Sequence, residues 1–264
     1  MQKLRNPALE RLEAGDLSLG VGVKHVRTVD VARIMKTCGF DWLFLDLEHG
    51  ALTVDTTAQI AMAALDVGIA PIVRMPIGDF SVATRLLDSG AMGIIHPHIE
   101  SADQAREVVD RLCFPPLGHR GVSGSIPQFG FGAVNLRDAI SELNTKTLIA
   151  VMLETPEAVS QADEIAAIEG VDIVMIGTND LALALGHPGE FDHPKVVSAY
   201  ETVATACRRH NKYLGSGGVN APDLVTRYVD MGVRFLLAAG DTGLVISSGQ
   251  QRVKTLRNIK VNAA

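Results

Sequence analysis

Asp46-Leu47-Glu48-His49 follows directly on the apolar run Trp42-Leu43-Phe44-Leu45, so two carboxylates and an imidazole stand where a buried strand should end. Strand alternation puts Asp46 and Glu48 on one side and Leu47 on the other. An imidazole is the side chain suited to take and return a proton near neutral pH, which makes His49 the candidate base, and Asp46 is placed to orient it by bonding the second ring nitrogen. Glu48 fits either a ligand or a partner of Arg74 or His49. Arg74, behind Ala70-Pro71-Ile72-Val73, offers a permanently charged fork to a carboxylate or an enolate. Glu154 ends the run Leu148 to Leu153, and Asp180 follows Ile173 to Asn179. Carboxylates at neighbouring strand tips, about 4.8 Å apart in a parallel sheet, can hold one hard divalent cation and leave positions for water and substrate. Each residue also has a plain structural reading. Thr155-Pro156 and Asn179-Asp180 resemble helix starts, Arg74 could form a simple ion pair, and His49 could be a hydrogen-bonded loop residue. Together at one ring of strand tips, they read better as an active site.

Other reactive residues carry less. His96-Pro97-His98 has an HxH spacing, but Pro97 interrupts the strand alternation, so pocket lining or structural roles are expected. Lys24 follows the first strand and is the one lysine placed for imine chemistry; Lys146 and Lys212 precede their strands. Ser123-Gly124-Ser125 and Ser216-Gly217-Gly218 lack the context of a nucleophile elbow. No phosphate-binding loop or dinucleotide fingerprint occurs.

The elements that would position these groups repeat one grammar. A glycine, a short apolar run and a polar residue recur from Gly39, Gly68, Gly90, Gly170 and Gly232. Each glycine suits the end of a helix, and each run suits a strand buried on both faces. Strands at Leu17 to Val23, Thr147 to Leu153 and Lys212 to Gly215 bring the total to eight. Ala58 to Leu65 and Ala102 to Leu112 have the three-and-four spacing of amphipathic helices. Eight alternating strands and helices in one α/β domain over residues 1–264 predict a (β/α)8 TIM barrel, with a doubly wound open sheet as the competitor. The irregular section from Cys113 to Gly132, rich in Pro and Gly, predicts a functional loop or one stitched to a neighbouring subunit.

The 264 residues are 47% hydrophobic and 20% charged, with a net charge of -6. That balance predicts a packed aliphatic core and no nucleic-acid partner, which would need clustered Lys and Arg. No apolar run is long enough to span a membrane, and Met1 to Pro7 lack the apolar core of a signal peptide. Three widely spaced cysteines favour reduced thiols, and with them a cytoplasmic location.

On these motifs the chain resembles the HpcH/HpaI family of metal-dependent class II aldolases. The likeness runs through Gly39-Phe40-Asp41-Trp42 and Asp46-x-Glu48-His49, Pro71-Ile72-Val73-Arg74 and Ser101-Ala102-Asp103-Gln104-Ala105. It continues through Pro115-Pro116-x-Gly118-x-Arg120-Gly121, Glu154-Thr155-Pro156-Glu157-Ala158, Ile176-Gly177-x-Asn179-Asp180-Leu181 and Gly240-Asp241. It implies a divalent cation (Mg²⁺, Mn²⁺ or Co²⁺) on Glu154 and Asp180, with His49 and Asp46 as the acid/base dyad. It further implies Arg74 on the substrate's oxo group or enolate, and backbone amides at Gly177, Thr178 and Asn179 on its carboxylate. The implied activity is reversible cleavage of a 4-hydroxy-2-oxo acid to pyruvate, or hydroxypyruvate, and an aldehyde through a metal-stabilised enolate. The implied assembly is a homohexamer, a trimer of dimers, with the C-terminal helix a candidate for exchange and Arg120 to Ser123 reaching a neighbouring site. Two departures bear on substrate identity: Met152 where well-known members have Gln, and Thr178 where they often have Pro. Rival readings are oxaloacetate decarboxylation, CoA-thioester cleavage, and a non-catalytic protein that binds metal and oxo acid.

Overall fold

A computed structural model describes residues 4–260 of the chain. Eight parallel strands close into a barrel in chain order: β1 (Ser18–Val23), β2 (Trp42–Asp46), β3 (Ala70–Arg74), β4 (Gly93–His96), β5 (Leu148–Leu153), β6 (Ile173–Gly177), β7 (Tyr213–Gly217) and β8 (Val233–Gly240). The pairing of β1 with β8 closes the ring and removes the open-sheet alternative. Around it run α1 (Pro7–Glu13), α2 (Asp30–Thr37), α3 (Val54–Val67), α4 (Phe80–Asp88), α5 (Ala102–Leu112), α6 (Leu136–Lys146), α7 (Pro156–Ser160) and α8 (Ala162–Ala166). The set continues with α9 (Thr178–Ala184), α10 (Pro194–Arg209), α11 (Pro222–Met231) and α12 (Asp241–Arg257). No described helix is long and apolar enough to cross a membrane.

The predicted helices fall inside α3 and over α5, and all five grammar glycines have positive φ, from 71° at Gly68 to 122° at Gly232. Side chains of Thr53, Asp79, Ser101 and Thr155 cap the helices that follow them, each contributing about 1 kcal/mol. Within the Cys113 to Gly132 section, the one helical element is the short 3₁₀ turn Pro127–Phe129. Arg120 does not reach outward there. Its guanidinium is buried, bonds Asp88 at 2.6 Å and lies 4.4 Å over the Phe114 ring, while Gly121 and Val122 beside it are exposed.

Two apolar layers follow from the period of two along each strand. Leu43, Leu45, Val73, Val151, Leu153, Val174 and Ile176 point outward and pack with the helices. Trp42, Phe44, Ile72, Ala150, Met152, Ile173, Met175 and Phe235 point inward and fill the barrel. The indole of Trp42 stacks on Phe235 at 4.0 Å. A Cβ on Gly20 would stand 2.2 Å from that indole, so β1 must carry glycine at this inward position. The amino-terminal mouth is closed by α1, whose Ala8, Leu9 and Leu12 join the inner layer. Chemistry is therefore confined to the carboxyl-terminal mouth, as expected for this fold.

Candidate active site

Continuing the inward phase past the apolar layer names the site residues. Trp42 and Phe44 lead to Asp46, Ile72 leads to Arg74, Ala150 and Met152 lead to Glu154, and Gly20 and Gly22 lead to Lys24. They surround a cavity of about 240 Å³ lined by Lys24, His49, Arg74, Glu154 and Asp180, with Phe44, Met152, Met175 and Leu237 as its floor. Gly177, Thr178 and Asn179 line it too, so every expected site residue except the buried Asp46 borders one space.

Asp46 and Arg74 are register partners on β2 and β3. Arg74 Nε donates to Asp46 Oδ1 at 3.0 Å and Nη2 to Oδ2 at 2.7 Å, a bidentate fork with both groups buried. Arg74 Nη1 lies 3.1 Å from Glu48 Oε2, and the guanidinium sits 5.0 Å over the Phe44 ring. Lys24 Nζ approaches Asp46 Oδ2 at 3.2 Å. Burial pushes the Asp46 carboxyl up, but the bonds and charge of Arg74, the His49 N–H and the charge of Lys24 outweigh it, holding the group below the usual carboxylate range.

That carboxylate also holds the backbone of its own segment. Its Oδ1 accepts the backbone N–H groups of Glu48 and His49, both at 3.1 Å, and so places the His49 backbone. The imidazole itself is 56% exposed in the mouth, and Nε2 lies 4.0 Å from Glu48 Oε2. Among the described residues the side-chain partners of Asp46 are Arg74 and Lys24.

The opposite side differs in charge. Glu154 is buried, and Asp180 on the first turn of α9 is half-buried. Among the described residues no Lys, Arg or His lies within ion-pair reach of Asp180. Glu154 Oε2 accepts the His98 N–H at 3.0 Å and lies 3.2 Å from His98 Nδ1. Burial raises the Glu154 carboxyl above its ordinary value; His98 opposes this, and the charges of Asp180 and Glu48 add to it. A Cβ on Gly177 would come within 2.6 Å of Glu154 Oε1, so only glycine leaves that carboxylate its place. Two converging oxygen donors, one without a cation and one penalised for its charge, fit a hard divalent ion.

His98 shows what sequence reasoning missed. With φ at 52°, it turns back and bridges the carboxylates, its Nε2 3.0 Å from Glu48 Oε1. Pro97 breaks the alternation, so no periodic signal pointed to it. His96 is structural, as expected: it falls on the outward phase, stacks on Phe80 at 5.1 Å and accepts the Gly78 N–H. Burial lowers its pKa and favours the neutral ring. Lys24 was weighed only for imine chemistry, although the inward phase of β1 already aimed it at the mouth, where it pairs with Asp46.

Thr178 is explained by an outward network. Its Oγ1 donates to Gly217 O at 2.7 Å and lies 2.7 Å from Tyr200 Oη, which lies 2.7 Å from Ser216 Oγ. Each hydroxyl has one proton, so the chain runs from Ser216 to Tyr200 to Thr178 to the carbonyl. Burial pushes the Tyr200 phenol well above its ordinary pKa. The network ties the tips of β6 and β7 together beside Asp180. Asp241 performs the same service between β8 and β1: its Oδ2 accepts the backbone N–H groups of Lys24, His25 and Val26 at 2.8–3.0 Å.

Comparison with known proteins adds a common ancestry to this geometry. The family profile described as HpcH/HpaI aldolase/citrate lyase matches residues 26–248. The chain is 33% identical to a 4-hydroxy-4-methyl-2-oxoglutarate aldolase of Hapsidospora irregularis, covering 99% of this chain and 98% of that one. It is 32% identical to a 2-keto-3-deoxy-L-rhamnonate aldolase of Escherichia coli, over 97% of this chain and 95% of that one. Among solved structures, an HpcH/HpaI aldolase from Desulfitobacterium hafniense superposes with a TM-score of 0.89 at 33% identity, covering 97% and 98% of the two chains.

Proposed function

Since the chain belongs to the HpcH/HpaI aldolase/citrate lyase family and is thereby an aldolase, a carbon–carbon lyase, we propose that it is a class II enzyme that reversibly cleaves a 4-hydroxy-2-oxo acid into pyruvate, or hydroxypyruvate, and a carbonyl product. One observation carries the reading. Glu154 and Asp180, without a matching cation, face the same cavity as the Asp46-anchored Arg74 and the free imidazole of His49.

Glu154 and Asp180 would hold Mg²⁺, Mn²⁺ or Co²⁺, with the choice set by availability. When bound, the ion supplies Lewis acidity toward the 2-oxo and carboxylate oxygens. Gly177, Thr178 and Asn179 open α9, and no side chain caps its first amides, which supports their use on the substrate carboxylate. His49 would take the C4 hydroxyl proton in cleavage and return it in synthesis. Arg74, immobilised by three oxygen contacts, would stabilise the charge developing on the enolate oxygen without reorganising.

Pyruvate release from 4-hydroxy-2-oxo acids tests this, using protein stripped with EDTA and then resupplied with single metals. Activity restored only by metal is the expected result. Activity that survives the chelator would sink the class II reading, and no release under any condition would move weight to oxaloacetate decarboxylation, which passes through the same enolate. His49→Ala should lose about 10²- to 10⁴-fold in rate while keeping metal affinity; Glu154→Ala should lose both.

The homohexamer, the exchanged C-terminal helix and the cytoplasmic setting belong to the same proposal. Every residue from Val245 to the end of α12 is exposed, Val245, Ile246, Val253 and Leu256 among them, which supports burial of this helix against another subunit. Light scattering that returned a monomer would remove the assembly from the reading.

A further inference from the structure

We propose that Lys24 is a specificity-determining residue that binds a second carboxylate of the substrate. Substrates with a carboxylate at C4 are then preferred, as in the name of the 4-hydroxy-4-methyl-2-oxoglutarate aldolase relative, and what is new is the residue that selects them. The inference rests on the function proposed above and names its substrate class.

Lys24 follows β1, and Glu154 follows β5, the strand across the ring in an eight-strand barrel. A 2-oxo acid held at Glu154 and Asp180 therefore extends over the apolar floor of Phe44, Met152, Met175 and Leu237 toward Lys24. Two cationic side chains, Arg74 and Lys24, border the cavity. Arg74 is committed to three carboxylate oxygens. Lys24 is not. Its side chain is 40% exposed and makes one contact, to an Asp46 oxygen that already accepts from Arg74. An ammonium has three donors, so two remain for a ligand.

The wall beside it is bare backbone: Gly22, Gly217, Gly218 and Gly240 line the cavity, with Asn220 as a further polar group. That leaves room for a branch at C4 and one charge to meet it. Asp241 binds the Lys24 N–H, so the base of the lysine is fixed before substrate arrives. In cleavage the C4 hydroxyl loses its proton and the C3–C4 bond breaks, with its electron pair passing to C3. C4 becomes the carbonyl of a 2-oxo acid, and protonation at C3 completes pyruvate.

The test compares 4-hydroxy-2-oxoglutarate with 4-hydroxy-2-oxopentanoate, which differ only in carboxylate against methyl at C4, in wild type, Lys24→Met and Lys24→Arg. The wild-type kcat/KM ratio should favour the dicarboxylate. Lys24→Met should lower that ratio about 10- to 100-fold, the range of a hydrogen bond to a charged group, mainly through KM, and Lys24→Arg should restore most of it. A parallel fall for both substrates would overturn the inference and leave Lys24 as a prop for Asp46, and an unchanged ratio would overturn it as well. Binding of 2-oxoglutarate and 2-oxopentanoate to the Mn²⁺-loaded protein by calorimetry gives a second readout without turnover. If neither hydroxy acid is cleaved, the proposed function fails, while a Lys24-dependent preference for 2-oxoglutarate would still uphold the carboxylate site.

Discussion

Asp41 and Asp172 stand in equivalent places, one just ahead of β2 and the other just ahead of β6. Each exchanges a pair of hydrogen bonds with the preceding strand: Asp41 with Leu19, both at 2.9 Å, and Asp172 with Ile149 at 2.8 and 2.9 Å. The backbone device is the same and the charge is not. Asp41 has Arg11 at 3.1 Å, whereas burial pushes the Asp172 carboxyl up to about 6, against a smaller pull from Ile149 and Lys212. The tips repeat the contrast. Asp46 and Glu48 have Arg74 and Lys24; among the described residues Glu154 has His98, which it shares with Glu48, and Asp180 has no basic partner. One side of the barrel neutralises its own carboxylates and is rigid scaffold. The other keeps negative charge at the mouth, a cost in stability that a bound cation would offset.

The largest break in this comparison is Arg74→Ala, which leaves the buried Asp46 with only the half-exposed Lys24 and two backbone amides among the described residues. It should destabilise the fold by about 3–5 kcal/mol, read by chemical denaturation; a loss below about 1 kcal/mol would mean that β2 and β3 do not depend on the pair. Tyr200→Phe removes the middle hydroxyl of the network joining β6 to β7 and should cost about 1–2 kcal/mol. No cost would show that the tips are held by strand pairing alone.

Asp172→Asn probes the unpaired side at its base. A carboxyl raised to about 6 in the fold, against about 3.9 unfolded, gives stability that is fully present below the unfolded value and is lost as pH rises through about 6. The substitution should therefore gain on wild type by about 2–3 kcal/mol between pH 4 and pH 7. Parallel melting-temperature profiles across that range would contradict the shift. The smallest effect is expected at the tip. In metal-free protein Glu154→Gln should leave stability within about 0.5 kcal/mol of wild type, or raise it, because it deletes a charge that burial already penalises. Added Mn²⁺ should then raise the melting temperature of wild type only, and an equal rise in both proteins would remove Glu154 as a ligand.

The barrel was legible because strand and helix periods are local. Eight apolar runs, the glycines behind them and the polar residue after each run follow from nearest-neighbour chemistry. The inward set was legible for the same reason, since alternation from Trp42 through Phe44 reaches Asp46. Where alternation stops, legibility stops. Pro97 and a positive φ hide His98, and the outward hydroxyls of Thr178, Tyr200 and Ser216 come from three elements with no shared spacing. The direction of Arg120 was not legible, because its motif marks a position only.

The sequence by itself determined the strand-helix order, the mouth at which chemistry gathers and the types of group available there. Only the tertiary structure decided which group pairs with which. Arg74 took Asp46 in a bidentate fork, and the same carboxylate took the amides of Glu48 and His49. Lys24 came to rest beside the same carboxylate, and Glu154 met His98 in place of a charged arginine. Ion pairs and burial depend on distances between strands far apart in the chain, and those distances exist only once the ring has closed.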